Sequence, residues 1–157
     1  MTKKLSHIND AGQADMVDVS DKKISNRTAV ARGTVEFPKA AFKILSEQDF
    51  LGKKGSVVQT AVLAGIQGAK KTSELIPLCH QINLTKINLD IVPINNAFQI
   101  SCTVKCDGKT GVEMEALTGV SIAALTIYDM CKVLSHDIRI TTIELEQKTG
   151  GKNDFQR

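Results

Sequence analysis

Aromatic residues are scarce in this sequence, and their scarcity argues against one large class of binding protein. The 157-residue chain has no tryptophan, one tyrosine and five phenylalanines, so aromatics make up 4% of it. Domains that bind RNA through a sheet stack bases on exposed aromatic side chains. Only Phe37 and Phe98 fall in segments that alternate like strands. The composition therefore disfavours a ferredoxin-like RNA-binding module, which strong and salt-sensitive retention on RNA would restore as an alternative.

The sequence also lacks a long apolar run, a strong charge of one sign and a cysteine framework. No run of about 18 apolar residues is free of charge, and no apolar segment follows the basic pair near the start, so neither a membrane span nor a secretory signal is predicted. The net charge of +3, from 20 basic and 17 acidic residues, is too small to indicate nucleic acid. The spacing of the cysteines indicates no disulfides and favours a reducing cytoplasm. They are Cys79, Cys102, Cys106 and Cys131.

What the chain does contain is enough apolar sequence, 42% of residues, for one core. Alternation predicts strands and helical spacing predicts helices. In order, the predicted elements are a strand at 27–37, a short helix at 38–46, a helix at 56–71, strands at 84–92 and 97–106, a helix at 112–134 and a strand at 137–147. This order is typical of an α+β domain of ferredoxin-like, split βαβ type, with an antiparallel sheet and both long helices on one face.

The domain is expected to span 26–148, between a flexible or extended N-terminal arm (1–25) and a mobile C-terminal tail (149–157). Ser56 is a plausible N-cap for the first long helix. Pro93, Asn95 and Asn96 are typical of a hairpin turn between the two middle strands.

Asp129 and Lys132 lie three residues apart on the predicted long helix, so their side chains share one face. Most of their neighbours in sequence are apolar or weakly polar. Such a pair is either an ordinary surface ion pair or an acid–base pair in a cleft, where each group changes the pKa of the other. The sequence leaves both interpretations open.

The segment 75–80 ends in Cys79 and His80, shortly after a proline that breaks the preceding helix. His80 could carry protons or bind phosphate at a pocket mouth, but a lone histidine is more often an ordinary core or surface residue. No metal site is predicted. Adjacent Cys and His side chains cannot easily share one ion, and thiols four residues apart on a strand, as at Cys102 and Cys106, are about 13 Å apart.

Two glycine-bounded loops place lysines beside helix N-termini, where free N–H groups and the helix dipole favour anions. They are the loop with Lys53 and Lys54 and the turn at 108–111. The turn ends in Gly-Lys-Thr like a P-loop, but Thr103 stands where that motif requires glycine, so a P-loop is rejected. A phosphate at either helix start, or simply solvated lysines, remains open.

Acidic residues at the two ends of the predicted long helix are too far apart to touch one small substrate. Glu113 and Glu115 lie at its start, where carboxylates ordinarily offset the helix dipole, and Asp129 lies near its end. Glu115 and Asp129 are separated by about 21 Å along an ideal helix. If both serve one site, a neighbouring subunit supplies one of them, which predicts an oligomer.

Several long segments together resemble one known family over nearly the whole chain. These segments are 5–20, 64–72, 75–80, 108–118, 123–132 and 150–152. The chain resembles the molybdenum cofactor biosynthesis protein C family, the accessory cyclic pyranopterin monophosphate synthases.

The resemblance implies an enzyme that converts 3′,8-cyclo-7,8-dihydro-GTP to cyclic pyranopterin monophosphate and releases pyrophosphate. It implies a homohexamer, a trimer of dimers of a ferredoxin-like subunit, with sites at subunit contacts and a radical-SAM enzyme as supplier of substrate. No cofactor is expected from the sequence, although a divalent ion could accompany the triphosphate. No nucleic-acid or membrane partner is expected.

By motif, the resemblance implies catalytic roles for Asp129, Lys132 and Lys54, with Lys53 as the alternative to Lys54. The substrate-binding residues that it implies are Leu78, Cys79, His80, Met114, Glu115, Lys152 and Arg27. In the resulting hypothesis, lysines and His80 hold the triphosphate, while Asp129 and a lysine with a lowered pKa move protons. A non-catalytic nucleotide-sensing oligomer is the other alternative, since it needs the lysines but not Asp129.

Overall fold

In the computed structural model, residues 6–9 and 11–157 are described, and they form an α+β domain with a main five-stranded sheet and a separate two-stranded one. The predicted arm includes residues 1–5 and 10, which lie outside the described residues. The elements are β1 (Ser25–Glu36), α1 (Lys39–Glu47), β2 (Leu51–Gly52), β3 (Gly55–Ser56), α2 (Val57–Lys70), α3 (Thr72–Leu75), β4 (Leu84–Ile94), β5 (Ala97–Gly108), α4 (Glu113–Cys131), β6 (Arg139–Thr149) and β7 (Phe155–Gln156).

The main sheet has the strand order β4-β5-β1-β6-β7, and every neighbouring pair is antiparallel. The central strand β1 pairs with β5 along its whole length and with β6 from Thr28 opposite Thr149. Its small and β-branched residues Ala29, Ala31 and Val35 are fully buried. Because this register joins the start of β1 to the ends of β5 and β6, three distant parts of the sequence meet at one edge of the domain.

Helices α2 and α4 pack against each other, α2 also on β4, and α4 on β1, β5 and β6. Gly65 allows the two helices to approach closely, because a Cβ at this position would lie 2.8 Å from the carbonyl oxygen of Gly119. Under the sheet ends, four of the five phenylalanines form edge-to-face or tilted pairs with ring centroids 5.4–5.9 Å apart. Phe37 and Phe98 belong to this cluster and are buried, so neither can stack on a base.

The predicted elements are all present, and the differences concern their ends and four short elements that were not predicted, β2, β3, α3 and β7. Ser56 caps α2 as predicted, since its side chain accepts a hydrogen bond from the Gln59 N–H at 3.3 Å. Helix α4 ends at Cys131, three residues earlier than predicted. Pro93 was wrongly assigned to the turn: it lies in β4, and the turn is Asn95-Asn96, with Asn95 at φ +55°. Proline is tolerated there because β4 is an edge strand.

Two further features bear on the chain as a whole. The segment expected to be a mobile tail includes β7, which pairs with β6. By length and composition α4 could cross a membrane, but half of its apolar stretch is buried inside the domain. The core helix of a globular domain meets the same criterion, so this observation is weak evidence for a membrane span.

Candidate functional site

The three residues with implied catalytic roles come together at the C-terminal end of α4. Asp129 lies in the last turn of α4, and Lys132 is the first residue after the helix. Lys54 lies in the tight turn between β2 and β3, which Gly55 completes at φ +104°. The Lys132 Nζ donates to Asp129 Oδ1 at 2.7 Å, and the Lys54 Nζ lies 3.6 Å from Asp129 Oδ2. We call these three residues the lysine–aspartate cluster.

The charges in the lysine–aspartate cluster stabilise each other. The hydrogen bond and charge of Lys132, followed by the charge of Lys54, lower the pKa of Asp129. The hydrogen bond that Lys132 donates to Asp129, together with the negative charge of Asp129, raises the pKa of Lys132. The expected lowering of a lysine pKa is thus not found for Lys132 in the single chain. Because the three side chains are 53–75% exposed, the cluster also lacks the burial that would favour an uncharged amine.

The first set of implied binding residues lines a pocket of about 400 Å³ at the opposite end of α4. Pro77 places the preceding Ile76 in an extended conformation, which ends α3 and turns the chain toward this pocket. The pocket, which we call the arm-side pocket, is lined by Leu78, Cys79, His80, Met114 and Glu115, and by residues of the N-terminal segment including Val17, Val19 and Lys22. The five implied residues Leu78, Cys79, His80, Met114 and Glu115 are therefore neighbours.

Glu115 is the most buried acidic residue of the arm-side pocket, with 4% of its surface exposed. Burial raises its pKa to about 7, helped by the charge of Glu113 and opposed by a hydrogen bond to its own backbone. Burial, together with the charge of Glu115, also raises the pKa of the neighbouring Cys79 thiol. A carboxyl that titrates near neutrality can both donate and accept a proton, which is the property that acid–base catalysis requires.

The raised pKa of Glu115 predicts a stability difference that depends on pH. Between about pH 4.5 and 7 the unfolded chain ionises this carboxyl while the folded chain keeps it protonated, so the folded state loses stability as pH rises. We expect Glu115→Gln to gain stability relative to the native chain across this pH range. The gain in the free energy of unfolding has an upper limit of about 3 kcal/mol and should fall below it, because the pocket is open to solvent.

Thermal unfolding of both proteins at one concentration between pH 4.5 and 8 measures this difference. The exposed Glu74 provides the matched control, since its carboxylate is open to solvent and Glu74→Gln should follow the native curve. A pH-independent difference for Glu115→Gln would contradict the buried, raised carboxyl.

The second set of implied binding residues, Arg27 and Lys152, lines an adjoining pocket of about 240 Å³. We call it the basic pocket, because its walls carry five basic side chains and one acidic one. These are Lys22, Arg27, Lys109, Lys148, Lys152 and Glu113. Lys22 and Glu113 line the arm-side pocket as well, so the two pockets are continuous. The excess of positive charge suits a polyanion such as a polyphosphate.

The backbone geometry at the end of β6 brings Lys152 to Arg27. Gly150 adopts φ +80°, and a Cβ at this position would collide with the Asn26 carbonyl oxygen, so only glycine fits. The Ser25 hydroxyl donates to the Gly150 carbonyl at 2.8 Å and ties the turn to β1. The Gly-Gly-Lys motif thus serves to fold the chain back over the start of β1.

Lys22 and Lys148 are basic-pocket residues that the sequence analysis missed. Lys148 reaches the pocket because β6 pairs with β1, and its Nζ lies 3.0 Å from Glu113 Oε1. Glu113 is held over Gly111, where any side chain would meet its carboxylate. No local spacing marks either lysine, although the neighbouring Gly-Gly-Lys motif could have directed attention to Lys148.

One chain therefore separates the implied residues into two groups at opposite ends of α4. The lysine–aspartate cluster lies about 21 Å along the helix axis from Glu115 and the two pockets. A compact substrate cannot reach both groups on one subunit. Within residues 6–9 and 11–157, no group of His, Cys, Asp and Glu side chains is arranged to hold a metal ion.

A family model and individual relatives of known name both match this chain, and they agree with each other. The family model described as the MoaC family matches residues 16–151. The chain is 53% identical over 152 residues to the cyclic pyranopterin monophosphate synthase of Campylobacter jejuni subsp. doylei, covering 96% of each chain. It is 50% identical over 157 residues to the protein of that name from Helicobacter hepaticus, covering 98% of each.

A longer relative matches as well. The chain is 47% identical over 156 residues to molybdenum cofactor biosynthesis protein 1 of Drosophila melanogaster, covering 98% of this chain and 27% of that protein. The family match and the near-complete overlap with the bacterial relatives show that this chain belongs to the MoaC family.

Proposed function

We propose that this protein is a cyclic pyranopterin monophosphate synthase of molybdenum cofactor biosynthesis. Its substrate is 3′,8-cyclo-7,8-dihydro-GTP, supplied by a radical-SAM enzyme, and its second product is pyrophosphate. The observation that carries the proposal is the identity of about 50% to relatives of that name over nearly the whole chain. The two continuous pockets, one basic and one with a carboxyl near neutral pKa, support it independently.

The pockets suggest a division of labour in the reaction. Arg27, Lys152, Lys22 and Lys148 would hold the triphosphate by charge and hydrogen bonds, next to Glu115 and His80 around the rearranging ring. Asp129, with Lys132 and Lys54, would move protons as ring bonds break and re-form. Closure of the cyclic phosphate needs a sugar oxygen in line with the α-phosphate, so rigid positioning should contribute strongly.

This division requires that one subunit supplies the pockets and another supplies the lysine–aspartate cluster. The 21 Å separation along α4 supports such shared sites, and a hexamer built from dimers is the assembly that we propose. Docking against a second subunit would bury the exposed cluster. That burial, and the approach of the partner's cationic pocket, would lower the pKa of Lys132 from the raised value that Asp129 sets in the single chain.

Two further attributes belong to the same proposal. We assign the subunit to the ferredoxin-like fold. The order of the long strands in the sheet, β4-β5-β1-β6, supports this assignment. So does the order along the chain, in which α2 comes between β1 and β4 and α4 between β5 and β6. We place the protein in the cytoplasm, supported by four unpaired thiols, three of them buried.

The test is to supply the purified protein with 3′,8-cyclo-7,8-dihydro-GTP and to follow pyrophosphate release and oxidised-pterin fluorescence together. Both signals should appear in equal amounts. Binding without either signal would favour the nucleotide-sensing alternative, and no binding would refute the proposed substrate. Parallel reactions with Mg²⁺ and with EDTA decide if a divalent ion must accompany the triphosphate.

A further inference from the structure

The N-terminal segment 17–22 contributes side chains to both pockets and is hydrogen-bonded to the domain through Val17 and Ser20. Val17 and Val19 line the arm-side pocket, and Lys22 lines both pockets. The Val17 carbonyl oxygen lies 2.8 Å from the Nε2 of His80. The Ser20 carbonyl oxygen accepts a hydrogen bond from the Lys109 Nζ at 2.7 Å.

The segment also has local structure of its own. Asp18 Oδ1 accepts hydrogen bonds from the Ser20 N–H at 2.8 Å and from the Ser20 hydroxyl at 2.6 Å. The Lys22 N–H donates to the Val19 carbonyl at 3.1 Å. These bonds form a compact turn, and the Lys109 ammonium donates a hydrogen bond to Ser20 in the middle of it. A movement at Ser20 would therefore be transmitted to Val17 on one side and Lys22 on the other.

Lys109 can serve as a fixed point because its own backbone is held. It lies in the turn between β5 and α4, where the Arg27 guanidinium donates to the carbonyls of Gly108 at 2.9 Å and of Lys109 at 3.1 Å. Arg27 is itself part of the central strand β1. The N-terminal segment is thus connected through Lys109 and Arg27 to the central strand of the sheet.

The contact with Val17 determines which nitrogen of His80 carries a proton. A carbonyl oxygen only accepts hydrogen bonds, so Nε2 must be the protonated nitrogen and must donate. In the neutral ring Nδ1 is then the acceptor, and it is the nitrogen left for a ligand in the arm-side pocket. A ring freed from Val17 could exchange the two tautomers and change the hydrogen bond that it offers.

We propose that Lys109 is a positioning residue that holds the segment 17–22 in place, so that the Val17 carbonyl keeps His80 in its Nε2–H form and Lys22 stays over the basic pocket. Its effect on catalysis rests on the proposed function. Its effects on His80 and on the segment do not, since both are present without substrate.

The first test uses the ligand-free protein. In Lys109→Met, we expect amide hydrogen exchange in residues 17–22 to become at least about tenfold faster, since a bond from a charged donor is lost. The ¹⁵N shifts of His80, one of three histidines, should move from the Nε2–H form toward a mixture of tautomers. Lys109→Arg should restore both signals, and Lys105→Met, which removes an exposed lysine on β5, should change neither.

The second test separates positioning from direct contact with the phosphates. Asp18→Ala disrupts the turn of the segment without removing a positive charge. If Lys109 acts through the segment, Lys109→Met and Asp18→Ala should both raise KM about tenfold and change kcat by less than about twofold. They should also shift the His80 signals in the same direction.

A raised KM in Lys109→Met with unchanged exchange and unchanged His80 signals would overturn the proposal and make Lys109 a simple anion ligand. Unchanged signals in both variants would overturn it as well, whatever the activity. Because the exchange and ¹⁵N measurements need no substrate, failure of the proposed reaction would leave this test intact.

Discussion

Asp129→Asn should lower kcat by at least about a thousandfold and leave folding and assembly unchanged. The carboxylate lies between two ammonium groups, 2.7 Å from Lys132 and 3.6 Å from Lys54, and its lowered pKa keeps it ionised near neutral pH. Asparagine has the same shape but can neither take up a proton nor balance the two positive charges. Because Asp129 is about half exposed, its ion pairs contribute little to the stability of the single chain.

Single-turnover formation of the pterin product measures this effect apart from product release. Size-exclusion chromatography and thermal unfolding establish that the variant assembles and folds. Asp137→Asn, which changes an exposed aspartate six residues after Cys131, is the matched control and should keep native turnover. Turnover by Asp129→Asn within about tenfold of the native rate would remove Asp129 from the chemical step.

Two inactive variants should restore activity when they are mixed, if each site is shared between subunits. One variant is Asp129→Asn, which damages the lysine–aspartate cluster. The other is the double variant His80→Ala/Glu115→Gln, which damages the arm-side pocket. In a mixed dimer, one site receives both damaged halves and the other receives two intact halves. Random mixing should therefore recover about one quarter of the native activity.

Co-expression, or unfolding and refolding of the mixture, allows subunits to exchange before the assay. A mixture of Asp129→Asn with Lys132→Met is the control, because both variants damage the same half and no intact cluster remains. A site contained within one subunit would give no recovery in either mixture. Recovery in both mixtures would mean that the two groups do not act as the two halves of one site.

The sequence predicted the elements well because their signals are local. Alternation marked the strands, and Ser56 marked the start of α2 through the preference of serine for N-cap positions. The errors fell where local preference competes with tertiary contacts. Pro93 has the preference of a turn residue but pairs opposite Phe98, because the edge of the sheet does not need its missing N–H.

The site was less predictable, because its parts meet through strand pairing rather than through spacing. Lys148 lies beside Glu113 only because β6 pairs with β1. The contact between Val17 and His80 is made by a backbone carbonyl, which every residue has, so the identity of residue 17 does not indicate it. The choice between a surface ion pair and an acid–base pair at Asp129 and Lys132 also depends on the three-dimensional structure. The pair is exposed in one chain, as an ordinary ion pair would be, but Lys54 is a third member that no helical spacing could indicate.

Helix α4 carries implied catalytic and binding residues at its two ends, and this predicts a strict limit on changes of chain length. One residue inserted between Glu115 and Asp129 would turn the far end by about 100° and advance it by about 1.5 Å. Relative to the start of the helix, Asp129 would then face away from Lys54. An insertion before Gly119 would also turn Gly119 away from Gly65. Substitutions on the outer surface of this helix should be tolerated, whereas insertions and deletions within it should be absent from every active member of the family.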